Sequence, residues 1–209
     1  VLRVDLAAGR TWAEEVPEAV QERWLGGVGF GSAVLLAEVP PGVGWDHPEN
    51  RVILASGPLG GTRLSGSGLL AAVTRGPMTG GACSTQANGF FGAFIKTQGY
   101  DAVVVQGQAP EWVYLLVHGD GRAELRRTEL GLSSGSVFGI GPAGENRVRF
   151  AALVGDRGHV AAHNGIGAVL GAKRLKAVVV SRGSRRVVVR DEAELGRVRK
   201  ALSEHSRGR

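Results

Sequence analysis

Short apolar runs, each closed by a glycine- or proline-marked turn, alternate along the chain with a few stretches of helical spacing. VLRVDL, the turn AAGR and TWAEEV predict an opening β-hairpin. PEAVQERWLGG predicts a helix with Pro17 at its first position and a glycine stop, and GVGFGSAVLLAEV a second helix apolar enough to be buried. Val52 to Ser56 reads as a buried strand closed by Gly57-Pro58. GLLAAVTRGPM reads as another strand, TGGACSTQANG as a small-residue loop, FFGAFIKTQG as a short helix and DAVVVQGQ as a strand. EWVYLLVHGDGRAELRR has the form of a hairpin about His118-Gly-Asp-Gly-Arg122. SVFGIGPAGEN, the strand VRFAALVGD, a loop, GAVLGAK and KAVVVSRG follow.

Laying the second series over the first exposes an internal repeat. At a constant offset of 75, Gly92-Ala93-Phe94-Ile95 falls on Gly167-Ala168-Val169-Leu170 and Ala102 to Val105 falls on Ala177 to Val180. Six of fourteen aligned positions are identical, more than the abundance of glycine and valine explains. The order upstream repeats as well: a strand ending in Gly-Pro (57–58 and 141–142), a second strand, a small-residue loop, a short helix and a final strand. The expected fold is therefore α+β, a duplicated unit with mixed β-sheets and short helices. Its two similar loops, 84–89 and 161–165, occupy equivalent places. Each leads into a short helix whose first N–H groups attract anions, so the pair suits a pseudo-symmetric ligand or two like ligands.

Composition narrows the function. Of 209 residues 34 are glycine, about twice the usual ~7%, and they lie within β-branched sequence rather than in a linker. Such a chain exposes much backbone N–H along turns, which suits an extended anionic ligand. The single cysteine, Cys83, excludes an internal disulfide and cannot alone hold zinc or an iron–sulfur cluster. In its small apolar loop it reads as a buried thiol rather than a nucleophile. Met78 and Trp45 read as packing residues. No apolar run approaches a membrane span, and VLRVDLAAGR turns polar too soon for a signal peptide, so the expected location is cytoplasmic. The net charge of +6 sits mostly at one end: residues 182–209 hold nine Lys/Arg against four Asp/Glu, and the rest sixteen against fifteen. DEAELGRVRKALSEH places acids first, bases later and Leu195, Val198 and Leu202 on one side, which predicts a solvated helix and not a nucleic-acid arm.

HVAAHNGIGAVLGAKRLKAVVV (159–180) is the densest candidate segment. A dinucleotide fingerprint makes its glycine turn directly after the strand, whereas DRGHVAAHN intervenes, and no acidic residue ends the next strand. No Walker sequence occurs. His159 and His163 stand four apart, a metal-binding spacing on a helix, but the adjoining Asn164-Gly165 places them in a loop or helix entry. Asp156 is the one nearby carboxylate, so structural or ligand-contacting histidines are the better reading.

GPLGGT (57–62), TRGPMTGG (74–81), NGFFGAFIKTQGYDAVVVQGQ (88–108), GIGPAGEN (139–146) and GIGAVLGAKRLKAVVV (165–180) stand in an order and spacing similar to those of a known family. The chain resembles the N-terminal domain of the tungsten-containing aldehyde:ferredoxin oxidoreductases, from VLRVDL to Gly183. The resemblance implies a pterin-binding domain over 1–183, with 184–209 a basic linker and the start of a following helical domain. It also implies two pterins holding one tungsten or molybdenum, Mg²⁺ bridging the pterin phosphates and a [4Fe–4S] cluster whose ligands lie outside this chain. The implied activity is oxidation of an aldehyde to a carboxylic acid, with electrons leaving to ferredoxin. The partners are the later domains or a partner subunit, with no nucleic acid or membrane, and a homodimer is compatible.

Carried over by position, the implied cofactor-binding residues are Gln86, Asn88 and Gly89 for one pterin, His159, Val160, Ala162 and His163 for the other, and Leu69 at a position that contacts a pterin. No catalytic residue or metal ligand is expected in this chain, which alone is expected to be inactive. The chain departs from the family in four places: Leu69 stands where it usually has an arginine, the asparagine of its Asn-Ser-Gly-Gly is displaced in Gln86-Ala87-Asn88-Gly89, and His159 and His163 stand at both arginines of its Arg-Ala-Ala-Gly-Arg-Gly-Gly run. An imidazole, charged only on the acid side of neutrality, is a part-time replacement for a guanidinium. The alternative is a free-standing, non-catalytic scaffold or binding module that kept the fold and lost the cofactor.

Overall fold

In the chain's computed structural model, which describes residues 1–127 and 135–207, the apolar runs become strands of two six-stranded sheets. The first unit contains β1 (Leu2–Asp5), β2 (Arg10–Ala13), α1 (Glu18–Trp24), α2 (Gly27–Glu38), β3 (Val52–Ala55), β4 (Leu70–Arg75), β5 (Ala82–Ala87), α3 (Phe91–Thr97) and β6 (Ala102–Gln106). The second contains β7 (Val113–Val117), β8 (Ala123–Arg127), β9 (Ser136–Gly139), α4 (Pro142–Glu145), β10 (Leu153–Gly155), β11 (His159–Ala161), a 3₁₀ turn (His163–Gly165), α5 (Ile166–Ala172) and β12 (Leu175–Val180). A last helix, α6 (Glu192–Arg207), follows an irregular stretch, and the final two residues of the tail lie outside the described residues.

The repeat read from the sequence is a structural duplication. The sheets run β2-β1-β6-β3-β4-β5 and β8-β7-β12-β9-β10-β11, the same order in each unit. In each, the first strand pairs parallel with the last and every other pairing is antiparallel. The helices α3 and α5 obey the offset of 75 from end to end. β3 and β6, paired in the middle of their sheet, are buried almost throughout, which is why their sequences are continuous apolar runs rather than alternations.

One apolar core spans both units. Leu54, Leu70, Val103 and Val105 of the first sheet and Leu115, Leu153, Val178 and Val180 of the second surround Phe91 and Ile95 of α3 and Ile166, Val169 and Leu170 of α5. Phe91 meets Phe138 edge-on at 5.9 Å between centroids, an arrangement that favours the pair by about 1 kcal/mol beyond area burial. β5 lies against β11 and the 3₁₀ turn, and β2 against β8, so the sheets meet along two seams. On the outer side of the first sheet α2 buries Phe30, Val34 and Leu35 against Ile53, Ala55, Val73 and Val104.

Three expectations need correction. The loop expected after VRFAALVGD contains a strand, β11, so His159 lies on an edge strand paired with β10 and not in a loop or helix entry. Residues 82–87 form an edge strand and not a loop: the alternation puts Cys83, Thr85 and Ala87 inward, and these are small because the neighbouring seam comes close. VRFAALVGD is extended only from Leu153, since Val148 to Ala151 make a turn closed by the Ala151 N–H on the Val148 carbonyl at 2.8 Å.

Candidate functional site

The candidate residues gather at the β5–β11 seam, brought there from both units. Gln86 and Asn88 share the exposed face of β5 and its continuation, since alternate residues of a strand face one side. Leu69, just before β4, is 42% exposed beside them. His159 and Val160 lie on β11, Ala162 follows it, and His163 opens the 3₁₀ turn. The His163 N–H donates to the Thr85 hydroxyl at 3.3 Å, which fixes the second loop to the first. Among the described residues, the side chains of Gln86, Asn88, His159 and His163 take no hydrogen-bond or ionic partner.

The GxGxxxG pattern has an internal explanation. Gly165 has φ 73°, and a side chain there would meet the Arg149 carbonyl oxygen at 1.7 Å; one at Gly167 would meet that of Ala152 at 2.5 Å. What approaches this loop closely is the preceding segment of the same chain. The two short helices are likewise no open anion sites. The Phe90 N–H at the start of α3 donates to the Asp156 carboxylate at 2.6 Å, and the Gly167 N–H of α5 donates to the Ala151 carbonyl at 2.9 Å.

A helical metal pair at His159 and His163 loses its geometry, because one residue is on a strand and the other on a 3₁₀ turn. Among the described residues no three His, Cys, Asp or Glu side chains gather to hold a metal ion. Cys83 is buried beneath Gly76, and burial pushes its thiol up to about 11. Met78 lies exposed on its loop, while Trp45 packs against the core.

Sequence reasoning missed two residues here. Arg157, exposed on the turn before β11 and without a partner among the described residues, is a permanent cation two positions from His159. Asp156, considered only as a metal ligand, is engaged by Phe90, Ser136 and Val137. Neither departs from ordinary surface residues in composition or spacing, so no sequence signal marks them. A groove of about 420 Å³ lies beside Asp156 and Arg157. A groove of about 610 Å³ lined by Trp12, Tyr100, His118 and Glu124 belongs to the other seam and touches none of the candidate residues.

The chain matches the family model described as the aldehyde ferredoxin oxidoreductase N-terminal domain over residues 1–131 and 122–182. It is 39% identical over 211 residues to a tungsten-containing aldehyde ferredoxin oxidoreductase of Pyrococcus abyssi, the alignment covering 93% of this chain and 34% of that protein. An aliphatic sulfonate oxidoreductase, WOR-like subunit, of Pyrococcus furiosus is 31% identical, with 86% of this chain and 33% of that protein covered. Among solved structures, the active-site complex BamBC of benzoyl coenzyme A reductase with 1,5-dienoyl-CoA superposes with TM-score 0.90 at 33% identity, covering 97% of this chain and 33% of that one. The chain thus spans about a third of the length of the curated relatives it matches. No described helix is long and apolar enough to cross a membrane.

Proposed function

Because the chain belongs to the family of aldehyde ferredoxin oxidoreductase N-terminal domains, we propose that it is the cofactor cradle of a tungsten- or molybdenum-dependent oxidoreductase. The β5–β11 seam would hold a bis-pterin. One observation carries the reading: two segments in equivalent places of a duplication, the end of β5 with residues 88–89 and β11 with the turn after it, converge on one seam and present polar side chains with no partner among the described residues.

The residues fit such a group. Gln86 and Asn88 offer amide donors on the exposed face of β5 and its continuation, with Gly89 beside them packed against the Asp156 carboxylate, and His159 and His163 offer ring donors from the second segment. Leu69, Val160 and Ala162 give apolar contact for flat rings, and Arg157 supplies a lasting positive charge in place of the guanidinium groups missing at 69, 159 and 163. Among the described residues no carboxylate cluster gathers to hold Mg²⁺, so in this reading the ion would be held through the pterin phosphates. The sole cysteine is buried, so the ligands of a [4Fe–4S] cluster come from outside this chain.

When bound, the metal would supply two-electron exchange with the substrate, with ferredoxin as the proposed acceptor, while Gln86, Asn88, His159 and His163 would hold its pterins. This chain binds and orients, and by itself is inactive. An aldehyde is the substrate class supported by the relatives at 38–39% identity, although the same domain occurs in proteins described as acting on an aliphatic sulfonate and on benzoyl coenzyme A. Substrate choice therefore belongs to later domains or a partner subunit outside the residues of this chain. Residues 1–183 form the cradle, and 184–209 lead into the next domain, with Val198 and Leu202 of α6 exposed for contact with it. A cytoplasmic enzyme, monomeric or paired with a second copy, is part of the same proposal.

Anaerobic purification of the intact protein with assay of W, Mo and Fe, and of pterin fluorescence after acid oxidation, tests this reading. Metal and pterin are expected to copurify, and absence of pterin overturns it. Leu69, His159 and His163 favour a second reading, a non-catalytic scaffold that has shed its cofactor, and that absence would support it.

A further inference from the structure

The duplication provides an internal control for every position. Through the pairing of β3 with β6 and of β9 with β12, Ile53 corresponds to Val137. The residue opposite Ile53 is Val73, an apolar core residue beneath Gly31 of α2. The residue opposite Val137 is Asp156, whose N–H donates to the Val137 carbonyl at 3.1 Å. A carboxylate thus replaces a core valine at equivalent places.

That carboxylate is fully engaged. Its Oδ2 accepts from the Phe90 N–H at 2.6 Å and the Ser136 hydroxyl at 2.7 Å, and its Oδ1 from the Val137 N–H at 3.1 Å. Phe90 ends the short loop after β5 that carries Asn88 and Gly89, whereas Asp156 itself begins the turn that leads to His159. A side chain at Gly89 would meet Asp156 Oδ2 at 2.4 Å, so loop and carboxylate fit each other closely. Asp156 and Arg157 have φ 42° and 65°, sterically disfavoured in two consecutive residues other than glycine, inside a turn closed by Gly158 N–H on the Gly155 carbonyl at 3.0 Å. Three hydrogen bonds to one side chain hold that backbone in place.

We propose that Asp156 is a positioning residue that sets both candidate segments at once, locking the end of β5 and the loop after it (Gln86 to Gly89) in one unit to the β10–β11 turn of the other. The role of those loops as pterin contacts rests on the reading above. The locking does not.

Hydrogen–deuterium exchange on the intact protein tests it with three variants. Asp156→Asn keeps the size but replaces an acceptor oxygen by a donor facing the Phe90 N–H. Amide exchange should rise about tenfold in both 86–91 and 157–163, with exchange in β6 and β12 unchanged. Ser136→Ala, a milder change suited to the case where the first variant fails to fold, should raise exchange in the same two segments about fivefold. Val73→Ala, the equivalent position, should loosen α2 and leave both loops as they were. Pterin content should fall for both pterins together in Asp156→Asn, an effect that a merely structural residue such as Val73 does not produce. Faster exchange in only one loop, or in neither, overturns the proposal. If the unmodified protein carries no pterin, the cradle reading falls and the exchange data still decide the locking.

Discussion

The two units share strand order, pairing sense and a seven-residue inner helix, yet they end those helices differently. After α3, Gln98 is buried and its side-chain amide donates to the Ser181 carbonyl, at the end of the other unit's last strand, at 2.6 Å. After α5, at the same offset of 75, Lys173 is buried and donates to the carbonyls of Gly107, again beyond the other unit's last strand, at 3.0 Å, and of Pro48 at 3.1 Å. Each unit is thus pinned to the other by the residue that ends its inner helix. One pin is neutral and the other ionisable, so the architecture requires a donor at these positions and not a charge.

The largest expected effect follows from that difference. Burial, reinforced by the nearby Arg51 charge, pushes the Lys173 ammonium down to about 7 from the ordinary 10.5. Between those values the unfolded chain holds a proton that the native chain has released, so native stability rises with pH across that window. Below about 7 both states are protonated and the contribution stays at its least favourable. The full shift corresponds to a rise on the order of 5 kcal/mol. Denaturant unfolding at several pH values measures it, and Lys173→Gln, which copies the partner position, should flatten the slope. An unchanged slope in that variant contradicts the assignment.

Next in size are the matched glycines of the inner helices. A side chain at Gly92 would meet the Leu69 carbonyl oxygen at 2.3 Å, and one at Gly167 that of Ala152 at 2.5 Å. Gly92→Ala and Gly167→Ala should each cost about 2–3 kcal/mol, seen as a lowered Tm. Losses that differ by more than about 1 kcal/mol would show that the two units are not interchangeable in packing.

The duplication was legible because both copies keep their Val-rich last strands and Gly-Ala helix starts at one constant offset, with no insertion between them. The buried strands were legible because residues enclosed on both faces are apolar without interruption. β5 was not, since its inward residues are Cys83, Thr85 and Ala87, too small and mixed to stand out from a loop. The glycines of 165–171 announced a close approach without saying to what, and the answer lay in carbonyls upstream. The bond from Phe90 to Asp156 joins residues 66 apart in sequence, a distance across which neither residue type signals the other.

Smaller effects probe the seam itself. Thr85→Ala removes the acceptor of the His163 N–H and should cost about 1 kcal/mol, with faster exchange of that amide and little change elsewhere. The smallest effect concerns Cys83, whose buried thiol is pushed up to about 11 and should resist iodoacetamide at pH 8 until the protein unfolds. Labelling of the native protein would mean that the seam opens.

The central claim is that each unit contributes one loop to one cofactor. The pterin-to-metal ratio of the intact, anaerobically purified protein tests it most directly, by counting released pterin against W plus Mo. The account predicts two pterins per metal ion; one pterin per metal, or metal without pterin, contradicts it.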